Sequence, residues 1–334
     1  MMQAAIGIDV GGTKMAGGVV DAKGKILYSH TVATPREFAD LEREFVALVA
    51  NMLSAAAGKA PVALDFAPVE VTGIGVAVPG SVNREKGIAV GACNLPWQNF
   101  AIKELLEGRF GIPTRVENDA DAAALGALRY APEAKGIQNF VFMTIGTGIG
   151  GGIILNGKLH GGQWPLAGEV GHTIVQPDGP LCNCGSRGCL EALTSGTAIG
   201  REGTDAVRKE QRGLLWTAYQ ENGQVTAADV TAAAEQGDAL AEEVLRQAAR
   251  CLAIGMLNIQ RLLSPEAIIV GGGVVTKSDI LLRYTKEAMP LIHPTLRARV
   301  VQVKGGSISG VRGSAAIVWE EIVGQVIDVT QGGI

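Results

Sequence analysis

The sequence predicts an α/β fold built from two similar lobes, and three observations carry that reading. Strand-like apolar runs and helical stripes mix along the whole chain. The segment Asp9-Val10-Gly11-Gly12-Thr13 has a counterpart in Thr144-Ile145-Gly146-Thr147-Gly148, each a strand running into a glycine turn and out into another strand. The chain has 334 residues, 47% of them hydrophobic and 19% charged, which suits two globular cores better than one.

Taken in order, Ala5 to Val10 reads as a buried strand, Met15 to Val20 as a second and Lys25 to Thr31 as a third. Leu41, Phe45, Leu48, Val49 and Met52 fall on one helical stripe. The Ala/Pro/Gly-rich stretch from residue 55 to 68 reads as a surface connection, and Val71 to Val78 as a strand stopped by Pro79-Gly80. Phe100 to Glu107 reads as helix, Thr114 to Glu117 as a short strand, and Ala120 to Tyr130 as an alanine-rich helix. The pattern then restarts with strands over Phe140 to Ile145 and Gly150 to Leu155, and Asn156-Gly157 signals a type I′ turn. Residues 200 to 225 show no usable period. Ala227 to Leu263 reads as helical and stops at Pro265; Ala267 to Val270 is a strand feeding Gly271-Gly272-Gly273, and Ser314 to Val323 a last helix.

Composition excludes several function classes. The net charge is −4, there is no basic tract and aromatics are 4%, which argues against a nucleic-acid surface. The longest uncharged run, between Lys135 and Lys158, is broken by seven glycines and by polar residues, so it is no membrane span. The N-terminus lacks a charged region followed by an apolar core, so a cytoplasmic protein is expected.

Glycine is abundant, with 46 residues, about twice the usual ~7%. Three glycine turns follow strands: Gly11 to Lys14, Gly146 to Gly152, and Gly271 to Gly273. Such turns let backbone N–H groups converge on phosphate oxygens. Gly11, Gly12, Gly146, Gly148, Gly272 and Gly273 are the candidate cradle. Thr13, Thr144 and Thr147 would add hydroxyls and Lys14 a charge; ligand-free tight turns are the alternative. Asp9, at the end of the first strand, is a turn former or a carboxylate near Mg²⁺. Cys182, Cys184 and Cys189, with His172 ten residues before the first, form a full tetrahedral set for a structural zinc ion. Cys93 and Cys251 fall outside that set.

Ile8-Asp9-Val10-Gly11-Gly12-Thr13-Lys14 resembles the first phosphate motif of sugar kinases in the actin–hexokinase–Hsp70 superfamily. Gly168-Glu169-Val170-Gly171-His172, followed by Cys182-Asn183-Cys184-Gly185-Ser186-Arg187-Gly188-Cys189-Leu190-Glu191, is similar to the signature of the ROK family of repressors, open reading frames and kinases. Glu117-Asn118-Asp119-Ala120 and Asn94-Leu95-Pro96-Trp97 also match. The resemblance runs from residue 6 to about 325 and implies a two-lobed actin-like ATPase fold with a zinc-bearing loop.

The resemblance further implies that Asp119 is the catalytic base and Asn118 a sugar ligand, although a strand-to-helix position also suits a helix N-cap. It implies that Glu169, His172 and Glu191 hold sugar hydroxyls, that the turn at Gly80 lines the same pocket, and that Trp97 lies either there or in the core. The family usually has asparagine where this chain has Asp121; at i and i+2 on a helix a small effect on Asp119 is expected. The implied reaction is phosphorylation of a hexose 6-hydroxyl by Mg²⁺-ATP, with glucose favoured. Fructose, allose or N-acylmannosamine are alternative acceptors, polyphosphate an alternative donor, and a sugar-sensing protein an alternative role. Family repressors carry a winged helix ahead of the body; only five residues precede the first strand here, so a repressor is not expected. An Hsp70-type chaperone would lack a use for the zinc loop. A homodimer is implied. Expected lobes are residues 1–118 plus 313–334, and 119–312 with the zinc motif and the dimer surface.

Overall fold

A computed structural model of the chain describes residues 1–60, 62, 64–92, 95–164, 166–296, 298–303 and 310–323. It separates into two compact units, Met1–Gly136 with Asn156–Ala167 and Gly306–Ile334, and Ile137–Leu155 with Gly168–Gly305. Cys93 and Asn94 lie outside the described residues.

The first unit is built on one five-stranded sheet. Strands β1 (Gln3–Val10), β2 (Lys14–Asp21) and β3 (Ile26–Ala33) form an antiparallel meander, while β4 (Glu70–Val78) runs parallel to β1 and β8 (Thr114–Asn118) parallel to β4. Helix α1 (Phe38–Ala56) buries the expected stripe of Leu41, Phe45, Leu48, Val49 and Met52. A separate three-stranded sheet, unforeseen from the sequence, joins β5 (Ser81–Asn83), β6 (Ile88–Gly91) and β7 (Gln98–Phe100). Phe100 therefore ends a strand, and helix α2 (Ile102–Phe110) starts two residues later. Trp97 is fully buried, with its ring 5.4 Å from that of Phe100, and belongs to the core. Helix α3 (Asp119–Tyr130) follows β8 directly. In the segment 156–167, Asn156 and Gly157 both have positive φ (52° and 70°), as a type I′ turn needs, before the two-residue strand β11 (Lys158–Leu159).

In the second unit β9 (Phe140–Ile145) pairs antiparallel with β10 (Ile149–Leu155), β12 (Ala267–Gly271) runs parallel to β9, and β13 (Val300–Gln302) parallel to β12. This repeats the β2-β1-β4-β8 pattern of the first unit, so the matched glycine turns sit at equivalent hairpins. Short α4 (Leu190–Thr194) leads into α5 (Gly196–Glu210) and α6 (Gly213–Asn222), which occupy the stretch without a visible period. The buried face of α5 is Ala198, Ile199, Gly200, Gly203 and Val207, and small residues leave no bulky stripe to read. The helical region from 227 splits into α7 (Ala227–Glu235) and α8 (Ala239–Leu263). Gly237 turns with φ +83°, and the Asp238 carboxylate accepts from the N–H groups of Leu240 and Ala241 to start α8. Helices α9 (Gly273–Thr276) and α10 (Ile280–Ile292) complete the unit.

The last helix, α11 (Gly310–Ile317), begins four residues before the expected start and ends in a π-helical stretch over Val318–Val323. It lies on β1 and β4 at unusually short range. A Cβ on Gly7 would strike the Val311 carbonyl, and one on Gly75 the Ser314 carbonyl. Part of the glycine excess thus clears a sheet face for one helix. The same helix holds α3, where a Cβ on Gly313 would lie 2.8 Å from the Ala122 carbonyl oxygen. That packing moves the expected division at residue 118 to 136, because α3 stays with the first unit. Among the described residues no helix is long and apolar enough to cross a membrane.

Candidate active site and metal cluster

In the first unit the Gly11 N–H donates to the Lys14 carbonyl (2.9 Å), closing the turn between β1 and β2. Thr34 fixes it: its hydroxyl donates to the Gly11 carbonyl (2.6 Å) and its N–H to the Thr13 carbonyl (3.1 Å). Gly12 is half-buried, and Thr13 and Lys14 project into solvent. Asp9 sits one residue before the end of β1. Its carboxylate occupies the space a Cβ on Gly310 would take, at the start of α11. Burial pushes the Asp9 carboxyl above its ordinary value, with Lys14 pulling the other way.

Asn118 and Asp119 stand where β8 becomes α3. The Asn118 side-chain oxygen accepts from the Ala120 N–H (2.8 Å) and the Asp121 N–H (3.4 Å), so it is the N-cap. Its amide nitrogen donates to the Gly80 carbonyl (3.0 Å). Gly80 has φ +82°, and a Cβ there would strike the Gly91 carbonyl, so the tether closes on a turn that requires glycine. Asp119 is exposed, and its Oδ1 accepts from the Ala120 N–H (2.8 Å). The asparagine thus serves as a cap, and the exposed carboxylate next to it stands at the strand-to-helix junction.

Arg84 was not singled out in the sequence. It lies between β5 and β6, and its Nε donates to Glu117 Oε2 (2.6 Å) and its Nη2 to Asp121 Oδ2 (2.5 Å). Glu117 is 1% exposed and Asp121 6%. Burial first, then the nearby Glu321, pushes the Glu117 carboxyl well above its ordinary value, against the pull of Arg84. Asp121 thus faces a guanidinium, a partner that i, i+2 spacing could not reveal.

In the second unit the Gly146 N–H donates to the Gly148 carbonyl (2.9 Å), and the Gly146 carbonyl accepts from the Gly196 N–H (2.8 Å) at the start of α5. The Thr197 hydroxyl donates to the Thr147 carbonyl (2.8 Å), and the Ser195 side chain caps α5 by accepting from the Ala198 N–H. Gly146, Thr147 and Gly273 line a cavity of about 880 Å³, together with Thr197, Arg201 and Lys277. Thr144, Gly148 and Gly272 do not line it. Thr144 pairs with Gly150 and Gly271 within the sheet. Gly148 leaves room for the Glu191 carboxylate, and Gly272, at φ +95°, lies against the Ile145 carbonyl. The contribution of α5 carries only one sequence signal, a serine at the N-cap position, Ser195.

His172, Cys182, Cys184 and Cys189 come together, with their ligand atoms all within 4.8 Å of one another. Cys182 Sγ is 3.6 Å from His172 Nδ1, and Cys184 Sγ 3.6 Å from Cys189 Sγ. A tetrahedral ion with sulfur at about 2.3 Å sets sulfur–sulfur edges of about 3.8 Å, close to the two 3.6 Å separations, so the cluster could hold a zinc ion. Burial pushes the Cys189 thiol up to about 12 and raises Cys182, whereas the Ser186 N–H first of all lowers Cys184 to about 7. His172 Nε2, the nitrogen on the far side of the ring, lies 3.8 Å from the Glu169 carboxylate. Glu191 is the second residue of α4; its Oε2 accepts from the Ile149 N–H (2.8 Å) and its Oε1 lies 3.9 Å from Cys182 Sγ. Glu169 and Glu191 thus both approach the Cys₃His cluster, Glu169 beside His172 and Glu191 beside Cys182.

Residues 5–321 match the ROK family. The chain is 35% identical over 326 residues to a glucokinase of Streptomyces coelicolor, covering 96% of this chain and 98% of that one. It is 33% identical over 321 residues to an N-acetylmannosamine kinase of Yersinia pseudotuberculosis, covering 94% and 98%. Among solved structures, a ROK family glucokinase from Streptomyces griseus in complex with glucose and AMPPNP superposes with a TM-score of 0.76 at 33% identity, covering 94% of this chain and 98% of that one. With its glycine-turned hairpins repeated in two units and a Cys₃His loop in the second, the chain belongs to the ROK family and has the α/β actin-like ATPase fold.

Proposed function

We propose that this chain is a hexose kinase that transfers the γ-phosphoryl group of Mg²⁺-ATP to the 6-hydroxyl of a hexose, with glucose the preferred acceptor. The observation that carries the reading is the exposed carboxylate of Asp119 at the first position of α3, in a chain so extensively like a glucokinase. Asp119 accepts the proton of the attacking hydroxyl; the new P–O bond forms as the bond to the β-phosphate oxygen breaks, and ADP leaves. Gly80, Asn118, Asp119, Glu169, His172 and Glu191 bind the sugar. Asp9, Gly11, Gly12, Thr13, Lys14, Thr144, Gly146, Thr147, Gly148, Gly272 and Gly273 form or support the nucleotide and phosphate sites, with Asp9 toward the nucleotide's Mg²⁺.

His172, Cys182, Cys184 and Cys189 would hold a zinc ion. Four protein ligands leave no open position, so the ion supplies rigidity to the loop bearing Glu169 and Glu191. His172 would then face zinc through Nδ1 and Glu169 or the sugar through Nε2. The protein is read as cytoplasmic and homodimeric.

The likeness to an N-acetylmannosamine kinase favours a second acceptor class. The test is ADP release with Mg²⁺-ATP and, in parallel, glucose, fructose, mannose, allose and N-acetylmannosamine, with Asp119→Asn as control. Turnover highest on glucose and lost in the variant is the expected result. Preference for the N-acetylated sugar would transfer the assignment to that acceptor, and no turnover on any sugar would end the kinase reading.

A further inference from the structure

We propose that Arg84 is a positioning residue for the Asp119 base: its guanidinium clamps the residues on both flanks of Asp119 to the β5–β6 hairpin and balances the charge of Asp121. The proposal rests on the kinase reading above. Its basis is geometric. Glu117 and Asp121 lie two residues before and two after Asp119, on β8 and on α3, and one planar cation bonds both through different nitrogens. The junction that aims Asp119 is thereby held from its strand side and its helix side at once.

Two further contacts show that the clamp is a built feature. The hairpin bearing Arg84 begins at the turn whose Gly80 carbonyl takes the Asn118 amide, so hairpin and junction are joined twice. The backbone of Gly161 lies directly against the guanidinium, where a Cβ would collide with it, so Arg84 is covered as well as paired. The Arg84 side chain retains 31% exposure, against almost none for the side chains of Glu117 and Asp121.

The charged groups around it come from four places. Glu117 is on β8, Asp121 on α3, Arg84 on the hairpin, and Glu321 on the π-helical stretch after α11, where Arg115 and Glu320 also act on it. Glu320 is itself paired with Arg129 (2.7 Å). Removing the Arg84 cation takes the counter-charge away from the Asp121 carboxylate, two residues from Asp119. Its field disfavours the ionised form of the base, so Asp119 would take up its proton at higher pH.

The experiment compares wild type, Arg84→Met, Arg84→Lys, Asp121→Asn and the double variant Arg84→Met/Asp121→Asn. Hexose-dependent ADP release is measured from pH 5 to 9, and amide hydrogen exchange is followed across residues 81–91 and 118–121. Arg84→Met is expected to lower kcat about 10- to 100-fold with a smaller change in KM and to move the acid limb of kcat/KM to higher pH. Adding Asp121→Asn should move that limb back, and Arg84→Lys should retain the wild-type limb with an intermediate kcat. A kcat within twofold of wild type in Arg84→Met, or a limb that ignores Asp121→Asn, overturns the proposal. If wild type shows no turnover on any sugar, the kinase reading fails separately and exchange decides. At least tenfold faster exchange in both segments of Arg84→Met supports the clamp, and unchanged exchange overturns it.

Discussion

Glu191 Oε2 accepts a hydrogen bond from the backbone N–H of Ile149 at 2.8 Å, and the same carboxylate fills the space left by the missing Cβ of Gly148. A residue of the cysteine-bearing segment thus latches the glycine turn between β9 and β10. The Cys₃His loop and this glycine turn are thereby joined within the second half of the chain.

That latch predicts a specific ranking. Glu191→Gln keeps an acceptor for Ile149 and should lower the melting temperature little, whereas Glu191→Ala leaves a buried donor unpaired, at a cost of about 1–3 kcal/mol. Thermal denaturation of both variants checks the order. Gly148→Ala should resemble Glu191→Ala in stability, because the new Cβ expels the carboxylate.

Asp119→Asn should lower kcat by roughly 10²–10⁴-fold, the usual worth of a general base. Its melting temperature should stay close to wild type, since the cap is made by Asn118. Asn118→Ala should lose about 1 kcal/mol of stability with the cap. Asn118→Asp should keep most of that stability and lose the Gly80 tether. Steady-state kinetics and chemical denaturation separate the three.

Metal removal tests the Cys₃His cluster. Elemental analysis of purified protein should find about one zinc per chain. Stripping it with a strong chelator, or replacing Cys184 with serine, should lower the melting temperature and accelerate proteolysis within residues 173–189. Equal stability with and without metal would refute a structural ion.

The paired carboxyls predict a pH dependence of stability. Glu321 shares a hydrogen bond with Glu117, and burial raises both above their ordinary value of 4.5. A raised folded-state value means that the native protein holds protons the unfolded chain has released. Stability from this pair is therefore complete below about pH 4.5 and declines as pH rises through the raised values. Melting curves from pH 4.5 to 8 should show that decline, and Glu321→Gln should flatten it.

Gly75→Ala should be among the most damaging single-methyl changes in the chain. Its Cβ would meet the Ser314 carbonyl of α11, a backbone atom that cannot step aside, and overpacking of this kind costs about 1–3 kcal/mol or more. Ala substitution at Gly273, where a Cβ meets nothing, is the control.

The sequence by itself determined most of the longer strands and helices, the matched hairpins and the Cys₃His cluster. Each is a local signal: a period of apolar residues, a glycine pair after a strand, or ligands within about twenty residues of one another. It also placed Asn118 and Asp119 at a strand-to-helix junction and left open whether they cap or catalyse. Only the tertiary structure gave Asn118 its cap and its tether, and paired Asp121 with Arg84, 37 residues away in sequence. The same holds for Glu191 with Ile149, 42 residues away, and for the use of Gly7 and Gly75 as a bed for α11. Such pairings carry no periodic mark, because they depend on which chain segments the packed sheets bring together. The buried face of α5 is hidden for a related reason: three of its five buried residues are glycine or alanine, which leaves only Ile199 and Val207 as a hydrophobic stripe.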